Sequence, residues 1–323
     1  MNHAPSTTRT PAGTARPGPA PMGLVLATRD RSAGLARSLR HLLALPERPE
    51  ILVVDNASTD DTRALLARDF PQVRVLPLPS DRGALARTDG VRALDTPYVA
   101  FCDDDSWWAP GALATAAQLL DEHPRLGLLS ARALVGPAEY ADPLSGVLAA
   151  SPLGPAADLP GIQILDFLGR AAVVRREAYL DAGGYHPLLF SGAEETLLAY
   201  DLAARGWGVT HCPEVTAHHH PHPDPRTGHQ AAVSRNALLT AWLRRPLPYA
   251  LARTRALAAE ARHDPHARDA LRQALNRLPA ALRHRRPLPA HVERAARRLD
   301  AAVMERGRCG PLVVARNAPR HDT

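Results

Sequence analysis

Apolar residues in the first third of this 323-residue chain fall into two alternating patterns. Short, nearly unbroken apolar runs occur at Gly23 to Thr28, Glu50 to Asp55, Val73 to Leu76 and Tyr98 to Cys102. Runs this short predict strands, and the β-branched run Glu50 to Asp55 is of the kind buried on both faces of a parallel sheet. Between them apolar residues recur with the helical period, predicting helices over 35–45, 61–68 and 83–94, the second capped by Ser58-Thr59-Asp60. Strand, helix, strand in repetition is the βαβ unit, and an open α/β sheet built from it binds ligands beyond the carboxyl ends of its strands.

The pattern continues less regularly. A helix is expected over 110–123, a strand over 126–130, and a long Pro-, Gly- and Ala-rich loop over 136–161. A strand over 171–174, a helix over 177–182 closed by Gly183-Gly184, a helix over 191–205 and two short strands over 209–211 and 215–220 follow. From residue 234 the chain turns to alanine- and arginine-rich helices broken at Pro246, Pro248, Pro265 and Pro287. The expected organisation is a disordered tail over 1–21, an α/β domain over 22–233 with halves at 22–130 and 131–233, a helical extension over 234–306 and a tail over 307–323.

Composition narrows the chemistry. The formal net charge is +6, yet no lysine occurs, so a catalytic lysine is excluded. The arginines concentrate after residue 235 and read as solvated helix faces rather than a nucleic-acid site. Three cysteines with no CxxC pair argue for a reducing, cytoplasmic setting without structural disulfides or a cysteine zinc site. No stretch of 18 apolar residues predicts a membrane span. Neither a Gly-rich dinucleotide fingerprint nor a Walker loop follows a strand.

The densest chemistry is Asp103-Asp104-Asp105 at the end of the fourth strand, followed by Trp107 and Trp108. Adjacent acids can favour a helix N-terminus, or share a hard cation that also holds substrate phosphates. Thr28-Arg29-Asp30 and Asp55-Asn56-Ala57-Ser58 end neighbouring strands, which puts three acidic strand ends on one rim. On an extended backbone Asp104 points away from Asp103 and Asp105, and His218 and His220 share a face that His219 does not.

The order of Thr28-Arg29-Asp30-Arg31, Ile51 to Asp60, Asp81-Arg82-Gly83 with Ala86-Arg87, Phe101 to Asp105, Gly169 to Arg176, Ala182 to Tyr185, Gly192 to Glu195 and Arg205-Gly206-Trp207 resembles the family 2 glycosyltransferases. The resemblance spans residues 23 to 220. It implies the GT-A fold, an open, mostly parallel Rossmann-like sheet flanked by helices, here with a C-terminal helical extension.

Carried over position by position, it implies that Asp55 accepts the N3–H of a uracil or thymine base and that Asp103 contacts the donor ribose or the metal. Asp105, closing a DXD-type motif, would bind Mn2+ or Mg2+ at the diphosphate. Thr28, Asp30, Asn56, Arg82, Gly83, Arg87 and Asp104 fall on the donor side, with a surface ion pair as the other role for Arg87. Glu195 is the expected base and Glu194 its support, and the run His218-His219-His220 with His222 falls where some relatives supply a metal ligand, with His218 and His220 put forward as the ligands. Trp107, Trp108, Gly184 and Tyr185 are expected either to line the acceptor cleft or to pack. Asp30 replaces a frequent asparagine, Thr88-Asp89 replaces the usual asparagine after Arg87, and Glu195 is one methylene longer than the usual aspartate.

The implied activity is metal-dependent, inverting transfer from a UDP- or dTDP-sugar to a hydroxyl on a glycan, a lipid-linked saccharide or a small molecule. The arginine-rich C-terminal helices offer peripheral contact with an anionic membrane. The alternatives are a non-catalytic scaffold of the same fold, or a sugar nucleotidyltransferase, which would need a Gly-rich first loop and a lysine that this chain lacks.

Overall fold

The computed structural model describes residues 22–221 and 229–309. The expected tail over 1–21, most of that over 307–323, and His222 lie outside the described residues.

The first half runs β1 (Met22–Thr28), α1 (Ser32–Leu43), β2 (Glu50–Asp55), α2 (Thr62–Asp69), β3 (Arg74–Pro77), α3 (Leu85–Ala93), β4 (Tyr98–Asp103), β5 (Ser106–Trp108) and α4 (Ala112–Glu122). It continues with β6 (Leu126–Val135), β7 (Tyr140–Ala141), α5 (Pro143–Ala149), β8 (Ile162–Gln163), a 3-10 turn (Gly169–Ala171), β9 (Ala172–Arg175), α6 (Arg176–Asp181), α7 (Glu195–Ala204) and β10 (Gly208–His219). Four helices close the described chain: α8 (His229–Arg244), α9 (Leu247–Glu260), α10 (Pro265–Arg283) and α11 (Ala290–Cys309).

One sheet carries the strands in the order β3-β2-β1-β4-β9-β6-β10-β5, with β7 on β6 and β8 on β10. The pairs β3/β2, β2/β1, β1/β4 and β6/β10 are parallel, while β9 runs antiparallel between β4 and β6. The four unbroken apolar runs are therefore the parallel half, and β1 and β2 bury nearly every side chain because helices cover both faces. The register Thr28↔Asp55 and Ala27↔Asp103 sets the ends of β1, β2 and β4 side by side.

Three expectations change. The two short strands expected over 209–220 are one strand, β10, interrupted where its register with β6 shifts between Cys212 and Thr216. Pro213 in that gap has no N–H to give a ladder. The loop expected over 136–161 contains α5, capped by Asp142, which accepts a hydrogen bond from the Leu144 N–H at 2.9 Å. Trp107 and Trp108, expected to lead into a helix, instead form β5 antiparallel to the end of β10. That pairing brings the acidic run to the histidines.

The main core surrounds the sheet from Met22 to Ala217. A second cluster joins Leu189 and Leu197 to α8, α9 and α10, and a small third one seats Val292 and Ala296 of α11 against Tyr200 of α7. Among the described residues, no helix is long and apolar enough to cross a membrane.

Candidate active site

The parallel strands deliver their last residues to one rim. Asp55 is fully buried there; its Oδ1 accepts the Ser58 N–H at 2.9 Å and its Oδ2 accepts the Arg63 guanidinium. Beside it Asp30 sits at positive φ, and its Oδ1 takes the backbone N–H groups of Thr59 at 2.6 Å and Asp60 at 3.2 Å. Those hydrogen bonds, the Thr59 one foremost, hold its carboxyl below the ordinary range. Asp30 thus ties the end of β1 to the turn that opens α2.

Asn56 organises the next stretch. Its Oδ1 accepts the Arg82 N–H at 2.8 Å, and its Nδ2 donates to Asp81 at 2.8 Å. Asp81 also accepts the Gly83 N–H at 2.9 Å and pairs with Arg29. Gly83 has φ +55, and a Cβ there would overlap the Phe190 carbonyl oxygen, so glycine is required where this segment docks on the loop before α7. Arg82 pairs with Asp89 on α3 at 3.0 Å.

The acidic run splits where the chain turns from β4 to β5, with Asp104 and Asp105 in the turn. Asp104 turns inward, 5% exposed, and accepts a hydrogen bond from Thr28 Oγ1 at 3.0 Å. Asp103 stays at the surface and pairs with Arg87. Asp105 faces His219, whose Nε2 lies 3.5 Å from its Oδ1. The His219 Nδ1 is buried without a hydrogen-bond partner. His218 and His220, the histidines put forward from the sequence, pack instead on Trp107, with ring centroids 5.7 and 4.6 Å away. His41 stacks on the same indole at 4.2 Å. Burial comes first in pulling the His41 and His220 imidazoles below their ordinary value, with Arg37 and His218 adding to it.

Arg87 links the two halves. Desolvation opposes its charge, but Asp103, Tyr185, Glu194 and Glu195 outweigh it and hold the guanidinium firmly protonated. Glu194 precedes α7 and Glu195 opens it. Glu195 rests against the 3-10 turn: a Cβ on Gly169 would stand 2.9 Å from its Oε1 and 3.4 Å from the Tyr185 hydroxyl. Tyr185 and Gly184 are buried, the Tyr185 N–H donating to Thr88 Oγ1 at 3.2 Å, and Trp108 is 1% exposed. These three residues, and most of Trp107, form walls of the site rather than its surface.

The structure therefore brings Asp103, Arg87, Glu194 and Glu195 together, sets Asp105 with His219, and places Asp55, Asn56 and Asp30 along the same strand ends. From the sequence, His219 is named in the histidine run but not put forward as the ligand, Gly169 and Asp81 are named without a role, and Arg63 is not named. For His219 the signal was present in the alternation of the strand; for the other three nothing local marks the role. Among the described residues no three His, Cys, Asp or Glu side chains stand close enough to ligate one ion.

An open sheet with a mixed parallel core and acids at its carboxyl rim is the GT-A arrangement of glycosyltransferases. A mannosyltransferase of Pyrobaculum calidifontis solved with GDP-Man and Mn2+ superposes with a TM-score of 0.52 at 21% identity, over 89% of this chain and 77% of its own. Staphylococcus aureus TarS 1-349 with UDP-GlcNAc gives 0.54 at 14% identity, over 85% and 91%. Residues 24–182 match glycosyl transferase family 2, and the chain belongs to that family. A curated relative, the N-acetylglucosaminyl-diphospho-decaprenol L-rhamnosyltransferase of Mycobacterium tuberculosis, is 26% identical over 67% of this chain and 84% of its own length.

Proposed function

We propose that this glycosyltransferase moves a sugar, with inversion, from a UDP- or dTDP-sugar to a hydroxyl of a lipid-linked saccharide. The observation that carries the reading is the convergence on Arg87 of Asp103 from β4 and of Glu194 and Glu195 from the start of α7. A donor-side acid and a candidate base thereby lie around one guanidinium.

In this reading Asp55 accepts the N3–H of the base once the exposed Arg63 side chain moves off its Oδ2, and Asp103 receives the ribose. Glu195, lying against Gly169, takes the proton of the acceptor hydroxyl as that oxygen bonds to the anomeric carbon. The bond from that carbon to the diphosphate breaks, and its electron pair leaves with the nucleoside diphosphate. Asp105 and His219 fit a hard or borderline divalent cation such as Mn2+ or Mg2+. One carboxylate and one imidazole suffice where substrate phosphates and water complete the shell. When bound, such an ion supplies Lewis-acid stabilisation of the leaving diphosphate. The curated relative is named for a diphospho-decaprenol acceptor, which supports the lipid-linked class here.

Glu195→Gln and Asp105→Asn test the assignments separately. Glu195→Gln is expected to lower turnover by about 10²–10⁴-fold while calorimetric binding of UDP is retained. Asp105→Asn is expected to remove the Mn2+ dependence of UDP binding. Undiminished turnover in Glu195→Gln, or unchanged metal dependence in Asp105→Asn, overturns the corresponding role.

A further inference from the structure

The helices beyond β10 have one face that the sheet does not explain. α10 buries Ala267, Ala270, Ala274 and Ala281 against its neighbours. Its outer side exposes Leu275 at 46% and Leu282 at 47%. Seven residues apart, these two lie on one face of the helix, with the exposed Pro279 between them.

The same face is basic. Arg268, Arg272, Arg283 and Arg286 are exposed around it. Arg272 is paired with Asp269 at 2.7 Å, but Arg283 and Arg286 have no ion pair among the described residues. From Ala270 to Val292 the sequence contains five arginines and no Asp or Glu. An apolar stripe edged by unneutralised arginines suits an anionic lipid surface, with leucines entering the headgroup boundary and guanidinium groups meeting phosphates. A second copy of the chain would have to bury the same positive charge against itself.

The inner side of α10 touches the loop that leads to the candidate base. Arg235 of α8 bridges them, donating to Gln273 Oε1 at 2.8 Å and to the Leu189 carbonyl at 3.0 Å. Asn236 adds a bond to the same carbonyl at 2.6 Å and one to Ser191 at 2.9 Å. At the other end, His284 meets His186 edge-on, ring centroids 5.6 Å apart. A helix resting on a membrane by its outer face would therefore hold the 186–192 loop, and the acceptor side of the cleft, close to that membrane.

We infer that the Leu275, Leu282 and Arg283 face of α10, with Arg286 in the segment just beyond the helix, docks the enzyme on an anionic membrane. This rests on the reading of a lipid-linked acceptor and extends it by naming the surface that reaches it.

Co-sedimentation of the full chain with phosphatidylcholine vesicles, with and without phosphatidylglycerol, tests the docking. The wild type is expected to pellet only with phosphatidylglycerol present and to be released by high salt. Arg283→Glu/Arg286→Glu is expected to weaken partitioning about tenfold or more, since each basic residue near such a surface counts for about fivefold. Leu275→Glu/Leu282→Glu should do the same, with circular dichroism and melting temperature of both variants matching the wild type. A wild type that stays in the supernatant with both vesicle types, including one that elutes as a stable dimer, overturns the inference, as do charge-reversed variants that pellet like the wild type. Metal-dependent UDP binding, measured on the same protein without vesicles, reports on the transferase site independently.

Discussion

The imidazole of His219 presents Nε2 to the Asp105 carboxylate at 3.5 Å, while its neighbours His218 and His220 turn to the other face of β10 and pack on Trp107. Antiparallel pairing sets His219 opposite Ser106, one residue from Asp105, and the His220 N–H donates to the Asp105 carbonyl at 2.8 Å. If the pair holds the ion, His219→Ala should weaken Mn2+-dependent UDP binding by about 10–100-fold. His218→Ala, on the other face, should leave it near the wild-type value. Calorimetric titrations with Mn2+ and with a chelator separate the two, and equal affinities for the His219 variant and wild type would remove His219 from the site.

Gly169 gives Glu195 its place. An added methyl would lie 2.9 Å from Glu195 Oε1, and the carboxylate is the part able to move. Gly169→Ala should therefore displace the base by a fraction of an ångström and lower kcat by about 10–100-fold. KM for the donor and the melting temperature should change little, because the residues assigned to the donor lie on other elements and the φ of Gly169 is one that alanine adopts. A large loss of stability with unchanged kcat would mean that the backbone, not the carboxylate, yields.

The parallel half of the fold was legible because β1, β2 and β4 are buried on both faces and so appear as unbroken apolar runs, whereas β3, at the sheet edge, is largely exposed; the register Thr28↔Asp55 and Ala27↔Asp103 follows from those runs ending together. Asp104 does point away from its neighbours as expected of an extended backbone, but it does so in the turn between β4 and β5. What could not be read depends on contacts distant in sequence. Arg63 covers Asp55 from the next helix, and Gly169 meets Glu195 26 positions later only because β9 and α7 converge. β5 escaped notice because three residues carry too little pattern, and its partner lies 110 residues downstream. Prolines suggested the breaks after residue 234, yet Pro279 sits inside α10, where packing against α8 outweighs the lost hydrogen bond.

Stability should decline as pH falls below about 6.5. Burial pulls the His186 imidazole down to about 4, with Arg244, His284 and Arg286 adding to it. Its Nδ1 accepts the Leu188 N–H at 3.3 Å, which the neutral ring alone can do. Between pH 6.5 and 4 the unfolded chain binds a proton at this position that the folded chain refuses, so the folded state loses ground throughout that window. Urea midpoints measured across it should fall for the wild type and fall less steeply for His186→Gln. Parallel slopes would assign the acid sensitivity to other groups.

Arg245 fastens α11 to the rest of the chain, and its removal should cost more than that of any exposed arginine. The side chain is 2% exposed; Nε donates to Glu293 at 2.8 Å, Nη2 to Asp300 at 2.7 Å, and Nη1 to the Tyr200 hydroxyl at 3.3 Å. Its guanidinium also lies 3.9 Å from the Tyr249 ring centroid. One planar fork thus serves two acids of α11 and stacks on α9, a geometry that a lysine ammonium cannot reproduce. Arg245→Ala leaves Glu293 mostly buried with only the exposed Arg297 at 2.8 Å, and breaking such a pair costs about 3–5 kcal/mol. For a chain of this size that corresponds to a melting temperature about 5–10 °C lower. Arg245→Lys should recover only part of the loss, whereas Arg272→Ala, whose partner Asp269 is itself exposed, should melt close to the wild type. If Arg245→Lys were as stable as the wild type, charge alone would account for the attachment of α11, and the fork geometry would contribute nothing.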